Sequence, residues 1–167
     1  PFIKERDPVV AASCGLTFSM LLTQSGKVYT MGSSEKGQLG NGRTGEHFTT
    51  NNRLAFNTFS EPFLVKQLAD KTIVQIACGQ QHTIALDDQG FVYVWGFGGY
   101  GRLGLGSQQD QLVPTLVPQF ARENVIMRAK SIYAGPTNSA VVDGQSMFWL
   151  AGKWKTSGDG SAGQGFM

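Results

Sequence analysis

Residues 77–106 read ACGQQHTIALDDQGFVYVWGFGGYGRLGLG, and residues 13–42 read SCGLTFSMLLTQSGKVYTMGSSEKGQLGNG. The two stretches align at an offset of 64 positions, Cys14 on Cys78. Gly15 falls on Gly79, Gly26 on Gly90, Val28-Tyr29 on Val92-Tyr93, Gly32 on Gly96, and Gly37, Leu39, Gly40 and Gly42 on Gly101, Leu103, Gly104 and Gly106. A fixed period of this size is the mark of a repeat architecture, in which each unit buries its apolar face only against a neighbour. A weaker third copy follows about 56 positions on, with Ala134-Gly135 for Cys78-Gly79, Ser139–Val142 for Thr83–Leu86 and Gly152 for Gly96. Ser146 stands there in place of the turn glycine, Ala151 in place of Trp95, and TSGDGSAGQG from Thr156 replaces the Gly-x-Leu-Gly-x-Gly tail.

Each unit reads as strands. Ile73–Ala77, His82–Leu86 and Phe91–Trp95 are rich in β-branched and aromatic residues, and Asp87-Asp-Gln-Gly90 is a turn between the last two. Gly90 and Gly26 are expected at the positive φ of a hairpin turn, where other residues are strained. Glu61–Val65 and Val113–Val117 are further extended segments, and their prolines suit edge strands. Phe120–Ala129 is the best helical candidate, and it is short. The sequence predicts an all-β fold of propeller blades, one sheet of about four strands per repeat. The repeats are drawn at 9–60, 61–112 and 113–167, in a single partial propeller domain. Three blades are too few for a ring, which takes four to eight. The expectation is an excerpt of a longer chain, with self-association as the route to closure if the chain is this short.

Composition narrows the function classes. The charged fraction is 16%, below the usual quarter, and there are 22 glycines, as short strands and tight turns require. The net charge is +2 and the basic residues are scattered singly, so there is no nucleic-acid footprint. No apolar run is long enough to span a bilayer, and PFIKERDPVV has no signal-peptide core. Two cysteines and two histidines without paired spacing do not make a zinc site. Cys14 and Cys78, at equivalent repeat positions, are expected to be buried free thiols.

The run Ile-x-x-Ile-Ala-Cys-Gly-x-x-His-Thr-x-Ala-Leu…Gly-x-Val-Tyr-x-Trp-Gly…Gly-x-Leu-Gly-x-Gly, here Ile73 to Gly106, resembles the regulator-of-chromosome-condensation repeats, and its details look most like the second paralogue group of that family. The first unit matches from Cys14 to Gly42, with Phe18 in the His place and Met31 in the Trp place. The tryptophans are followed by Gly96, Leu150 and Lys155, so the Trp-Asp dipeptide of another propeller class is missing. The resemblance implies a seven-bladed propeller in the complete protein, protein-binding faces, a nuclear or cytoplasmic setting with cell-cycle work, and in several members guanine-nucleotide exchange on a small GTPase. The founding member's exchange uses a protruding wedge and acidic contacts, and no motif here aligns with those residues. Inhibitors and ubiquitin-ligase modules share the fold, so a non-exchange binding module is the alternative.

No catalytic, cofactor or metal residue is expected. Gly96–Gly101 matches G-x-G-x-x-G, but Arg102-Leu-Gly-Leu-Gly cannot supply the helix that a dinucleotide needs. Asp87 and Asp88 are expected at a solvated turn tip, and His82, aligned with Phe18 and Asn138, is expected to bond within its own blade. The candidate partner-binding residues lie in two places. The first is Thr44–Ser60, extra length read as a loop, which carries His47, Phe48, Arg53, Phe56 and Phe59; aromatics and Arg are the usual interface anchors. The second is the tail, where Lys153-Trp154-Lys155 sets an aromatic between cations.

Overall fold

The computed structural model describes residues 6–153 and 165–167. Strands β1 (Val9–Cys14), β2 (Phe18–Thr23) and β3 (Val28–Ser33) are followed by a small hairpin, β4 (Glu46–Phe48) and β5 (Leu54–Phe56), and then by β6 (Thr58–Leu64). The second unit is β7 (Ile73–Cys78), β8 (His82–Asp87), β9 (Val92–Gly96) and β10 (Gln111–Leu116). The third is β11 (Ala129–Ala134), β12 (Asn138–Asp143) and β13 (Phe148–Gly152). The first two units are antiparallel four-stranded sheets in the orders β1-β2-β3-β6 and β7-β8-β9-β10, and the third is β11-β12-β13. Met167 pairs with Leu150 through reciprocal backbone bonds of 2.9 and 3.1 Å, the place a fourth strand takes. The sheets are offset from the period drawn on the sequence: Glu61–Leu64 and Val113–Leu116 close the sheet of the preceding unit. Both prolines, Pro62 and Pro114, fall where the edge-strand register shifts, so their missing N–H costs no ladder bond. The stretch 120–129 contains no α-helix; its residues form 3-10 turns at Pro118–Phe120 and Val125–Met127, and β11 begins at Ala129.

The hairpin turns behave as the glycines predict. Gly26 and Gly90 both take φ 85°, and Ser146, their counterpart, takes φ 65° at a cost glycine avoids. Asp87 does not sit in water at the turn tip. It is buried, and its Oδ1 accepts from the N–H groups of Gln89 and Phe91, both at 2.9 Å. Asp143 repeats this with Gln145 and Met147, and adds the Trp149 indole N–H at 3.0 Å. Burial works to raise the Asp143 carboxyl, and the bonds from Trp149, Met147 and Gln145 outweigh it, holding the group below its usual range. Thr23 supplies the same cap with a hydroxyl, accepting from Lys27 N–H at 3.1 Å.

The core lies between the sheets. Strand alternation gives each sheet two apolar faces. Met20, Leu22 and Val28 of the first sheet pack on Ala85, Tyr93 and Trp95 of the second. Ile84, Leu86, Val92 and Val94, from the other face of the second, pack on Ile132, Val141 and Ala151 of the third. Covered on both sides, β8 and β9 are buried throughout.

Polar seams run beside these contacts. The loop after β3 seats the Gln38 carbonyl against the Trp95 indole N–H at 2.9 Å and the Thr83 hydroxyl at 3.2 Å. One repeat on, the Arg102 carbonyl accepts from the Ser139 hydroxyl at 2.6 Å. His82 therefore bonds across the seam and not within its own sheet: Nε2 lies 2.9 Å from Ser139 Oγ and 3.1 Å from the Asn138 carbonyl. Because the Ser139 proton goes to Arg102, His82 Nε2 carries the donated hydrogen. The ring is wholly buried, and desolvation, with the Arg102 charge, pushes its pKa down to about 3. It folds back over Gly79, where a Cβ would collide with the imidazole; Phe18 covers Gly15 and Asn138 covers Gly135 in the same way. The Gly-x-x-His spacing is thus a steric rule.

Two outcomes follow from the His82 seam. Between pH 6.5 and about 3 the unfolded chain binds a proton that the folded chain refuses, so this contribution is complete above pH 6.5 and is lost as pH falls, at about 1.4 kcal/mol per pH unit. Urea titrations at a series of pH values should show that slope, and His82→Phe should lack its histidine part. Gly79→Ala should destabilise the chain by about 1–3 kcal/mol through overpacking against the ring; an unchanged urea midpoint would contradict the steric rule.

Candidate interaction face

The connections between the third and fourth strands, 34–57 in the first unit and 97–110 in the second, leave the same end of their sheets by the repeat symmetry. The first of these contains the segment expected as a loop, and it is instead a β-hairpin running into β6. Glu46 pairs with Phe56, His47 with Ala55 and Phe48 with Leu54. The chain reverses at Thr49–Asn52, where Thr49 N–H bonds the Arg53 carbonyl at 2.9 Å and Asn52 takes φ 54°, a region Asn tolerates. At the base, Asn57 N–H bonds the Gly45 carbonyl at 2.8 Å, and His47 Nδ1 lies 3.1 Å from that same oxygen.

Strand alternation puts Phe48, Leu54, Phe56 and Glu46 on one face of the hairpin, with His47 and Ala55 on the other. Phe48 is 72% exposed and Leu54 is 50% exposed, a cross-strand apolar pair open to solvent. Arg53 and His47 are also exposed, and Phe56 is half-buried. Phe59 departs from the loop reading: it belongs to β6, and its ring packs on Phe63 at 5.2 Å. That pair walls a groove of about 580 Å³ along β6, with Arg43, Glu61 and Lys66 at its rim.

The second candidate region is only partly described. Lys153 holds its ammonium 4.7 Å from the centre of the Tyr100 ring, on the second unit. Trp154 and Lys155 lie outside the described residues. The glycines at 96–101 end in a 3-10 turn, Gly99–Gly101, as punctuation of the repeat.

A second surface lies where the first strands meet. Leu16 N–H bonds the Gln80 carbonyl at 2.9 Å, and Gln80 N–H bonds the Pro136 carbonyl at 3.1 Å, so one repeat position links all three units. Both cysteines line the mouth of about 330 Å³ beside it. They are free thiols, but Cys14 is exposed and not buried, since among the described residues no unit packs outside β1. Cys78 is half-buried, and desolvation pushes its thiol up to about 12, so it is a poor nucleophile.

Models of the regulator of chromosome condensation (RCC1) repeat match residues 25–86 and 89–142, and a second model of the same description matches 9–38 and 73–102. Protein RCC2 of Mus musculus is 37% identical over 158 residues, covering 86% of this chain and 30% of its own length. The chain therefore spans about a third of the curated relatives it matches. Among solved structures, human WBSCR16 superposes with a TM-score of 0.68 at 26% identity, over 86% of this chain and 33% of that one. Prp20p of Saccharomyces cerevisiae, whose structure was described together with its binding to Gsp1p and histones, superposes with a TM-score of 0.65 at 20% identity, over 96% of this chain and 34% of that one.

The hairpin should open without disturbing the sheets. Asn52→Val forces a β-branched residue into the left-handed region. Amides of residues 46–56 should then exchange about tenfold faster, while the melting temperature holds, as expected of an element that opens locally. Exchange unchanged in the hairpin would mean that Asn52 does not set its turn.

Proposed function

The chain belongs to the regulator of chromosome condensation repeat family, and from that premise we propose that it is a segment of a protein-recognition propeller. The observation that supports this reading is the hairpin Glu46–Phe56, which offers Phe48 and Leu54 to solvent beside the Phe59–Phe63 groove. A solvent-facing apolar pair with an adjacent arginine has the composition of an interface anchor. The work is recognition, with no covalent chemistry, no cofactor and no metal, in an intracellular setting.

The finer proposal is regulation of a small GTPase. Prp20p, whose fold the chain shares, has described binding to Gsp1p and histones, and a protein partner of either kind suits a rigid face with one projecting hairpin. Exchange would require tighter binding of the nucleotide-free GTPase than of the loaded one, which needs differential affinity alone. The hairpin itself carries one acid, Glu46, beside His47 and Arg53. Acidic contacts of the kind attached to exchange are not supplied there, and this favours a second reading, a binding module indifferent to nucleotide state.

Nucleotide release from a panel of small GTPases, with the full-length polypeptide that contains this sequence, separates the two. Accelerated release supports exchange; a stable complex with equal affinity for loaded and empty GTPase supports the binding module. In either case Phe48→Ala, Arg53→Ala and Phe56→Ala together should weaken partner binding by about a hundredfold, the scale of two anchor residues, with the urea midpoint nearly unchanged. Undiminished binding would remove the hairpin from the interface.

A further inference from the structure

Five side chains from all three units meet where the connections after the third strands lie against one another. Lys36 Nζ is 5.2 Å and Arg102 Cζ 4.4 Å from the centre of the Phe97 ring. Arg102 Cζ is 5.5 Å and Lys153 Nζ 4.7 Å from the centre of the Tyr100 ring. The order is therefore cation, ring, cation, ring, cation. Tyr100 is held at φ 63°, a conformation that a tyrosine adopts only under constraint, and its ring lies between Arg102 and Lys153.

Scattered lysines would not make a site, and this arrangement differs in two respects. The ammonium groups are placed by ring faces and not by carboxylates: among the described residues none of the three cations has an acid within ion-pair distance. Glu35, beside Lys36, is exposed, and Asp110, which acts on Arg102 through space, accepts from Gly98 N–H at 2.9 Å through Oδ1. Arg102 is also almost fully buried, so its guanidinium is fixed, with Nε donating to the Gly99 carbonyl at 2.8 Å. Burial works against its charge, and Tyr100 and Asp110 act in the opposite direction.

We propose that Lys36 and Lys153, set on either side of the buried Arg102 by the Phe97 and Tyr100 rings, form a recognition stripe for an acidic peptide segment of a partner protein. Carboxylates suit it better than a nucleic-acid strand. Binding a strand would use ring faces as stacking platforms, and each ring here already has two cations against it. The stripe is spread over three sheets whose seams fix its spacing, so the ordering cost of lysine side chains is met before a partner arrives. The hairpin supplies none of these five residues.

The test is fluorescence anisotropy with the full-length polypeptide and a labelled glutamate-rich peptide of about a dozen residues. Its glutamine counterpart and a single-stranded oligonucleotide of similar length are the comparison probes. The glutamate peptide should bind, and binding should weaken with salt. Lys36→Gln with Lys153→Gln should reduce its affinity about tenfold, while Lys130→Gln, an exposed lysine on β11, should have no effect. Arg102 is left unchanged because its side chain is buried and braces its own loop, with Nε donating to the Gly99 carbonyl. The hairpin triple variant should bind the peptide normally, so the two surfaces fail separately. Equal binding of the glutamine peptide, or no binding of the glutamate peptide, would overturn the proposal. So would an oligonucleotide that binds more tightly than the peptide and is lost in the same double variant, or equal losses with Lys130→Gln.

Discussion

Sheet follows sheet in this protein because a loop carbonyl from one unit is received by a hydroxyl of the next. Gln38 meets Thr83 and the Trp95 indole; Arg102 meets Ser139. These bonds are buried, and a buried carbonyl without a partner costs more than the bond itself contributes. The loops that carry them cannot float free without exposing Leu39 and Leu103, which are buried beneath. Everything else in the fold takes its position from that contact, including the apolar seams and the side chains displayed on the loops above them.

The seams also account for how small residues are used. Gly79 has no side chain because His82 lies over it, and Gly40 has none because a Cβ would come within 2.9 Å of Trp95 Nε1. One glycine admits a ring from its own unit, and the other admits a ring from its neighbour. The chain thus spends conformational freedom where two sheets must approach closely. His82 is the clearest consequence: a histidine kept neutral by burial, whose Nε2 bridges two sheets.

The same geometry separates structure from display. Positions facing a seam are filled by the repeat pattern. Positions in the connections after the third strands are free of that duty, and they hold the hairpin with Phe48 and Leu54 in the first unit and the Phe97–Tyr100 cation stripe in the second. A rigid array with variable connections on one end suits recognition, since the scaffold bears the ordering cost of the contacting groups.

Legible in the sequence alone were the repeat, the all-β class and the turns at Gly26 and Gly90, because period and turn chemistry are local. The sequence misjudged whatever depends on neighbours in space. Asp87 looked like a solvated turn residue and is a buried cap; His82 looked like a bond within one sheet and joins two; Cys14 looked buried and is exposed. The loop at 44–60 became a hairpin through three cross-strand pairs and one left-handed asparagine, a signal too short to stand out as a period of two. The stripe was invisible for a stronger reason. Lys36, Phe97, Arg102, Tyr100 and Lys153 come from three repeats, and only the tertiary stacking of the sheets brings those rings and charges within reach of one another.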